Sequence, residues 1–213
     1  MILAIDTSAG QCAAALLDAE GAVLSYRAEK MQRGHAEALF PLLDRLFDDA
    51  GAEYSGVTGI AVCTGPGSFT GIRVGVAAAR GLALGLGLAA RGIDRFHALA
   101  LGAGGEGPSA IALKGPRGTA YFQALLPGSG AQQAEADPVH VPLEDLDALT
   151  PAGATRLGDG WPMADEAAGL ADPRVIGAAF LGRPELFGDA RPFYLRDAGA
   201  APPREVPPLL LDA

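Results

Sequence analysis

The sequence predicts an α/β protein, on three observations. A short apolar run, Ile2-Leu3-Ala4-Ile5, ends at Asp6-Thr7-Ser8, the pattern of a buried strand closed by a polar turn. Two segments, 35–50 and 69–86, place apolar residues at helical spacing. Between them, 57–63 (Val-Thr-Gly-Ile-Ala-Val-Cys) reads as a second strand running into a glycine-rich turn.

Taken in order, residues 11–17 and 22–29 flank Asp18-Ala19-Glu20-Gly21 and predict two antiparallel strands around a turn. In 35–50, Leu39, Phe40, Leu42, Leu43, Leu46 and Phe47 recur at helical spacing. Pro41 inside this run predicts a kink or a first turn, and Gly51 a stop. In 69–86, Gly71, Gly75, Ala78, Ala79 and Gly81 stand beside Ile72, Val76 and Leu82. Each glycine costs a helix about 1 kcal/mol relative to alanine, so close packing must compensate, on the chain's own sheet for one face and on a partner for the other. Residues 89–93 predict a further strand and 94–104 a helix.

Past residue 105 the texture changes. Gly104-Gly105-Glu106-Gly107-Pro108 predicts a linker, strands follow at about 109–114, 119–126 and 134–141, and the remainder is short and rich in Pro and Gly. The expected division is an N-terminal unit, 1–104, and a smaller unit, 105–213, with a Pro-rich tail from Pro202 that is loosely held.

Composition narrows the function classes. With 213 residues, 49% of them hydrophobic, the chain can bury a real core. Its net charge is −9, from 16 basic and 25 acidic residues with no basic run, which argues against unaided nucleic-acid binding and against an anionic membrane surface. Cys12 and Cys63 stand alone, so neither a zinc site nor a disulfide framework is expected, and a cytoplasmic location fits. No basic stretch precedes the first apolar run, so a secretory signal is not expected. Val74 to Ala90, broken by Arg80 and several Gly, reads as short of a membrane span.

The chemical motifs are few. Gly65-Pro66-Gly67-Ser68 before a helix suits either an anion-binding loop or a tight turn with Ser68 or Thr70 as cap; no Lys-Ser/Thr follows, so it is not a Walker loop. Asp6 ends the first strand, where actin-like ATPases carry their first phosphate loop. Asp6, Gly65, Gly67 and Ser68 are therefore the candidates for nucleotide contact. His35-Ala36-Glu37 lacks the partners of either zinc signature, and His97 and His140 lie far away in sequence. No Gly-x-Ser-x-Gly elbow occurs, and Lys30 and Lys114 are the only lysines. No self-contained catalytic set and no metal site emerges.

Three blocks together resemble the TsaB (YeaZ) family: Ile2-Leu-Ala-Ile-Asp-Thr-Ser8, His35-Ala-Glu-Ala-Leu-Phe-Pro-Leu-Leu43, and Gly65-Pro-Gly-Ser-Phe-Thr-Gly-Ile-Arg-Val-Gly75. Pro192-Phe-Tyr-Leu-Arg196 is similar to the family's closing element. The resemblance covers about residues 1–100 and thins beyond. It implies an actin-like, ribonuclease-H-type fold in two lobes, and a non-catalytic subunit that activates a TsaD-like catalytic subunit. That subunit adds a threonylcarbamoyl group to N6 of adenosine 37 in ANN-decoding tRNA. A TsaE-like ATPase joins through the complex, and ATP and metal belong to the partner subunits. Contact with tRNA is expected only through the complex, no membrane is expected, and homodimers use the same surface as the heteromer.

Two departures are expected to matter. The related catalytic subunit carries a His-x-x-x-His metal pair, whereas here His97 is followed at the fourth position by Leu101. Where the family usually has Asp-Ala-Arg, this chain has Lys114-Gly-Pro-Arg117. The resemblance places the partner surface on the first two long helices, with Leu39, Leu43, Phe47, Ile72, Val76 and Arg73 or Arg80 as expected contacts. The rival readings are an actin-like ATPase or kinase built on Asp6 and Gly65–Gly67, and a metallopeptidase of the M22 type.

Overall fold

The computed structural model describes residues 1–104, 107–127, 132–134 and 136–195. Arg196 and the Pro-rich tail lie outside the described residues, as do Gly105 and Glu106 of the expected linker.

Six strands form the first sheet. β1 (Ile2–Asp6), β2 (Gln11–Leu17) and β3 (Val23–Lys30) make an antiparallel meander; after α1 (His35–Ala50), β4 (Gly59–Cys63) lies parallel to β1. α2 (Phe69–Leu86) leads to β5 (Ala90–Ile93), parallel to β4, and α3 (Arg95–Ala103) follows. The resulting order, β3-β2-β1-β4-β5, is the ribonuclease-H arrangement of an actin-like lobe.

The second sheet starts with β6 (Ser109–Lys114) and β7 (Thr119–Pro127), an antiparallel pair. β8 (Gln132–Ala134) and β9 (Val139–Pro142) both pair with β7. After α4 (Leu146–Leu149), β10 (Thr155–Leu157) runs parallel to β6. The chain then returns to the first sheet: α5 (Pro173–Gly182) covers its open face, and β11 (Gly188–Asp189) pairs with β5. The expected C-terminal unit, 105–213, is thus not self-contained. The reason is the period-2 pattern of β1. Leu3 and Ile5 face α1 and α2, while Ala4 faces the opposite side, which Ile176 and Ala179 of α5 cover together with Ala98 of α3, Ala171 and Phe187. α3 serves both sheets, since Phe96 and Ala100 pack on Ile111, Leu113 and Leu125 of the second.

The helix ends follow local chemistry. Ser68 Oγ accepts the Gly71 N–H at 3.2 Å, Asp94 accepts the His97 N–H at 3.0 Å, and Asp172 accepts that of Arg174 at 2.8 Å, with Pro173 in the first turn of α5. Gly51 and Gly87 close α1 and α2 in the left-handed conformation. Pro41 lies inside α1 on its exposed side. By length and composition α2 does reach the threshold of a membrane span, against expectation, yet it lies on the first sheet with Ile72, Val76, Ala79 and Ala83 in the core.

Five of the expected interface residues change role. Leu39, Leu43 and Ile72 are fully buried, and Phe47 and Val76 are 3% exposed; all five belong to the core beneath α1 and α2. Helical periodicity identifies an apolar face without saying what covers it, and here the chain's own sheet does. Arg73 and Arg80 are exposed on the opposite face of α2. Val76→Asp therefore strikes the fold before any complex. Burying an unpaired carboxylate there should cost about 4 kcal/mol or more, read as loss of the cooperative urea transition followed by circular dichroism.

Candidate functional site

Two features of the structure invite a functional reading: the cleft between the sheets and the outer faces of α1 and α2.

The cleft is an open cavity of about 590 Å³, bounded by the β1–β2 turn, the start of α2 and the segment 159–170. Asp6 is completely buried behind Ser8 and does not itself line the cavity. One carboxylate oxygen accepts from the Ser8 N–H at 2.9 Å and the Ser8 hydroxyl at 2.6 Å; the other accepts from the Gln11 amide at 2.8 Å. Both carboxylate oxygens are thus engaged by the chain's own groups, Ser8 of the first turn and Gln11 of β2. The glycine-rich loop closes on the same turn, with a cis Gly65–Pro66 bond. The Ser68 N–H donates to the Ser8 carbonyl at 2.8 Å, and a Cβ on Gly67 would collide with that carbonyl. Thr7 donates its hydroxyl to the Gly71 carbonyl at 2.7 Å, and a Cβ on Gly75 would collide with the Thr7 side chain. Gly65, Gly67 and Ser68 therefore serve the tight strand-to-helix turn, and the small residues in the first half of α2 are explained by close approach to the chain's own first loop.

Arg95, unremarked in the sequence, is the central cation of the cleft. It is 3% exposed and donates to the Gly169 carbonyl at 2.6 Å, the Pro66 carbonyl at 3.3 Å and Asp159 at 3.3 Å. Lys30 and Lys114, the two lysines of the chain, both line the same cavity. Lys114 pairs loosely with Glu166 at 3.7 Å, and its backbone N–H donates to Asp159 at 3.2 Å. Arg117, at the tip of the β6–β7 turn, takes a left-handed φ of 53°. The Lys114–Arg117 departure is thus a compact hairpin turn, in which Thr119 donates its hydroxyl to the Pro116 carbonyl at 2.6 Å.

The histidines do not converge. His35 Nε2 lies 3.3 Å from the Ala9 carbonyl, tying the start of α1 to the first loop. His140 pairs with Thr119, and His97 with Asp94 at 2.6 Å. Among the described residues no three His, Cys, Asp or Glu side chains gather so that they could hold a metal ion. Both cysteines are buried free thiols. Burial, with Glu29 and Asp6 nearby, pushes Cys12 up to about 11, and burial beside Asp6 pushes Cys63 higher still, so neither is a ready nucleophile.

The outer face of α2 is differently made. Arg73, Ala77, Arg80, Gly81 and Leu84 are exposed along one stripe, Leu84 at 84%, and a Cβ on Gly81 or Gly85 would meet nothing within 4 Å. Exposed Phe40 on α1 stands at 48%. At the start of α2, the Arg73 guanidinium lies 3.8 Å over the Phe69 ring and donates to the Tyr194 hydroxyl at 2.9 Å. The sequence pattern marked Tyr194 only through its Pro192-Phe-Tyr-Leu block. Nothing local marked Arg95, Gln11 or Asp159, whose partners are distant in the chain.

Comparisons with known proteins agree along different lengths. The family model for TsaD, tRNA N6-adenosine threonylcarbamoyltransferase, matches residues 27–148, more than half of the chain. The tRNA threonylcarbamoyladenosine biosynthesis protein TsaB of Haemophilus influenzae is 38% identical over 105 residues, covering 46% of this chain and 41% of that protein. The protein of the same name from Escherichia coli is 36% identical over 102 residues, covering 48% and 43%. The matched segment thus spans about two fifths of these relatives' own length. In structure, YeaZ from Pseudomonas aeruginosa superposes with a TM-score of 0.73 at 27% identity, covering 91% of this chain and 99% of that one.

The His97–Asp94 pair has a pH signature. Burial alone would lower the His97 pKa, but the hydrogen bond and charge of Asp94 outweigh it and raise it above 6.5. A raised folded pKa gives stability that is present in full below the unfolded value and lost as pH rises through the folded value. Thermal melts of the wild type and of His97→Gln should therefore differ most below pH 6.5 and converge as the pH is taken upward past the His97 titration.

Proposed function

Because this chain belongs to the TsaD (tRNA N6-adenosine threonylcarbamoyltransferase) family and matches TsaB (YeaZ) along nearly its whole length in structure, we propose that it is a partner subunit in the formation of threonylcarbamoyladenosine in tRNA. In this reading it binds and activates a TsaD-like catalytic subunit and carries no chemistry of its own. A TsaE-like ATPase joins through that complex, tRNA is met only through it, and ATP and metal are held by the partner subunits.

One observation carries the reading: the second half of α2. Gly81 and Gly85 each cost the helix about 1 kcal/mol, and nothing in the chain's own fold requires them. Gly71 and Gly75, by contrast, are required by Thr7. Small residues on a solvent face, bordered by a Leu at 84% exposure, let a second helix approach closely. The surface proposed is thus the outer stripe of α1 and α2, with Phe40, Arg73, Arg80 and Leu84 in place of the buried residues first expected. Homodimers of the free chain would use the same stripe.

Support for a non-catalytic role comes from Asp6, whose oxygens are engaged by Ser8 and Gln11, and from Leu101, which stands where the catalytic relative places its second histidine. No observation favours the ATPase or metallopeptidase readings.

The test is reconstitution with the cognate TsaD-like protein, followed by size exclusion with light scattering. Leu84→Asp should keep the wild-type melting temperature and weaken the heteromer by at least about tenfold, since it would place an unpaired carboxylate within the contact. Gly81→Ala should raise the stability of the isolated chain by about 0.5–1 kcal/mol while weakening the complex. A heteromer that forms equally well with Leu84→Asp would sink this surface, and no heteromer with the wild type would sink the partner-subunit reading.

A further inference from the structure

We infer that the walls of the cleft between the two sheets are fastened to each other by an internal latch, built on Arg95 and Asp159, which takes the place a bound ligand would have in holding the two halves together. The inference concerns the isolated chain and stands whether or not the partner-subunit reading does.

Arg95 belongs to the first lobe: it opens α3, directly after β5, and its backbone N–H donates to the Gly65 carbonyl at 2.7 Å. Its guanidinium reaches across the cleft to the Gly169 carbonyl and the Asp159 carboxylate, both on the segment that follows the second sheet. Asp159 is itself fixed to that sheet by the Lys114 N–H at 3.2 Å. A guanidinium has a rigid fork of donors and cannot shed its charge, so acceptors from both sides must stay in place around it. Removing it takes the guanidinium from the Gly169 and Pro66 carbonyls and leaves Asp159 with the Lys114 N–H.

A second bridge runs beside the first. Gln11, 5% exposed on β2, donates to Asp6 at 2.8 Å and also to the Ala171 carbonyl at 2.7 Å. Segment 159–171 is therefore held from the first lobe at two carbonyls, Gly169 and Ala171, and one carboxylate. The backbone is shaped to permit this. A Cβ on Gly169 would collide with both Arg95 and Asp159, and Gly160 packs over the backbone of Ala112 and Leu113. Hinged α/β proteins close around a ligand that supplies the cross-cleft contacts; here the chain supplies them itself, from side chains already buried.

Hydrogen exchange followed by mass spectrometry on the full chain tests this, with three variants. Arg95→Gln deletes the cation, Asp159→Asn weakens its partner without emptying a buried site, and Gly169→Ala wedges the pair apart without removing a charge. Each should speed exchange across 159–171 by about tenfold or more, because a charge-assisted hydrogen bond is lost from a local opening, while β2 and α1 keep wild-type protection. Addition of ATP with magnesium to the wild type should change nothing at the cleft walls. Two results would overturn the latch: exchange of 159–171 within about twofold of wild type in folded Asp159→Asn and Gly169→Ala, or slowed exchange of the wild-type walls on adding the nucleotide. If Arg95→Gln does not fold, the other two variants decide.

Discussion

The close approach of α2 to the first loop governs this molecule. Thr7 donates to the Gly71 carbonyl at 2.7 Å, and Ser68 donates its N–H to the Ser8 carbonyl at 2.8 Å. At such separations a side chain cannot stand at 67, 71 or 75, so the sequence there is confined to glycine. That contact sets the height of α2 over the sheet and closes the gap between two loops that would otherwise be free to receive phosphate. It also decides which side of the helix remains outside. The outward stripe from Arg73 to Leu84 is the geometric remainder of a helix whose other face has been brought down onto Thr7 and Val62.

Much of this was legible in the residues. The bounds of α1 and α2, the Gly51 stop and the choice of Ser68 or Thr70 as cap follow from spacing and capping chemistry, because those signals are local. The ribonuclease-H order was reachable through the resemblance of the Asp6-Thr7-Ser8 and Gly65–Gly75 blocks. Burial on two sides was not. Leu39, Leu43, Phe47, Ile72 and Val76 make the apolar faces of their helices, and periodicity reports such a face identically whether a sheet or another protein covers it. The return of α5 and β11 to the first sheet was equally hidden, since Ile176 and Ala179 lie about 170 residues from the strand face they cover. Arg95 shows the same limit. One arginine after an aspartate carries no pattern; its meaning lies in carbonyls at 66 and 169 and a carboxylate at 159.

The charge distribution acquires a physical sense from the fold. Arg73 and Arg80 lie on α2, and two of the acidic residues, Asp44 and Asp48, stand on the exposed side of neighbouring α1. The two helices thus present charges of opposite sign side by side. As the proposed docking face, such a surface would select among partners and orient them more than it would add to the strength of holding them.

The placement of Lys30 and Lys114 has a chemical corollary. Apart from the N-terminal ammonium, which Gly56 and Thr58 accept, these two side chains are the only primary amines in the chain, and both open onto one cavity. Acylation of lysine therefore reads a single locale: its yield at these two residues, counted apart from the N-terminal amine, measures access to the groove between the sheets. Any cellular acylation of lysine in this protein would fall on the rim of that groove, and would exchange a cation beside Glu166 for a neutral amide.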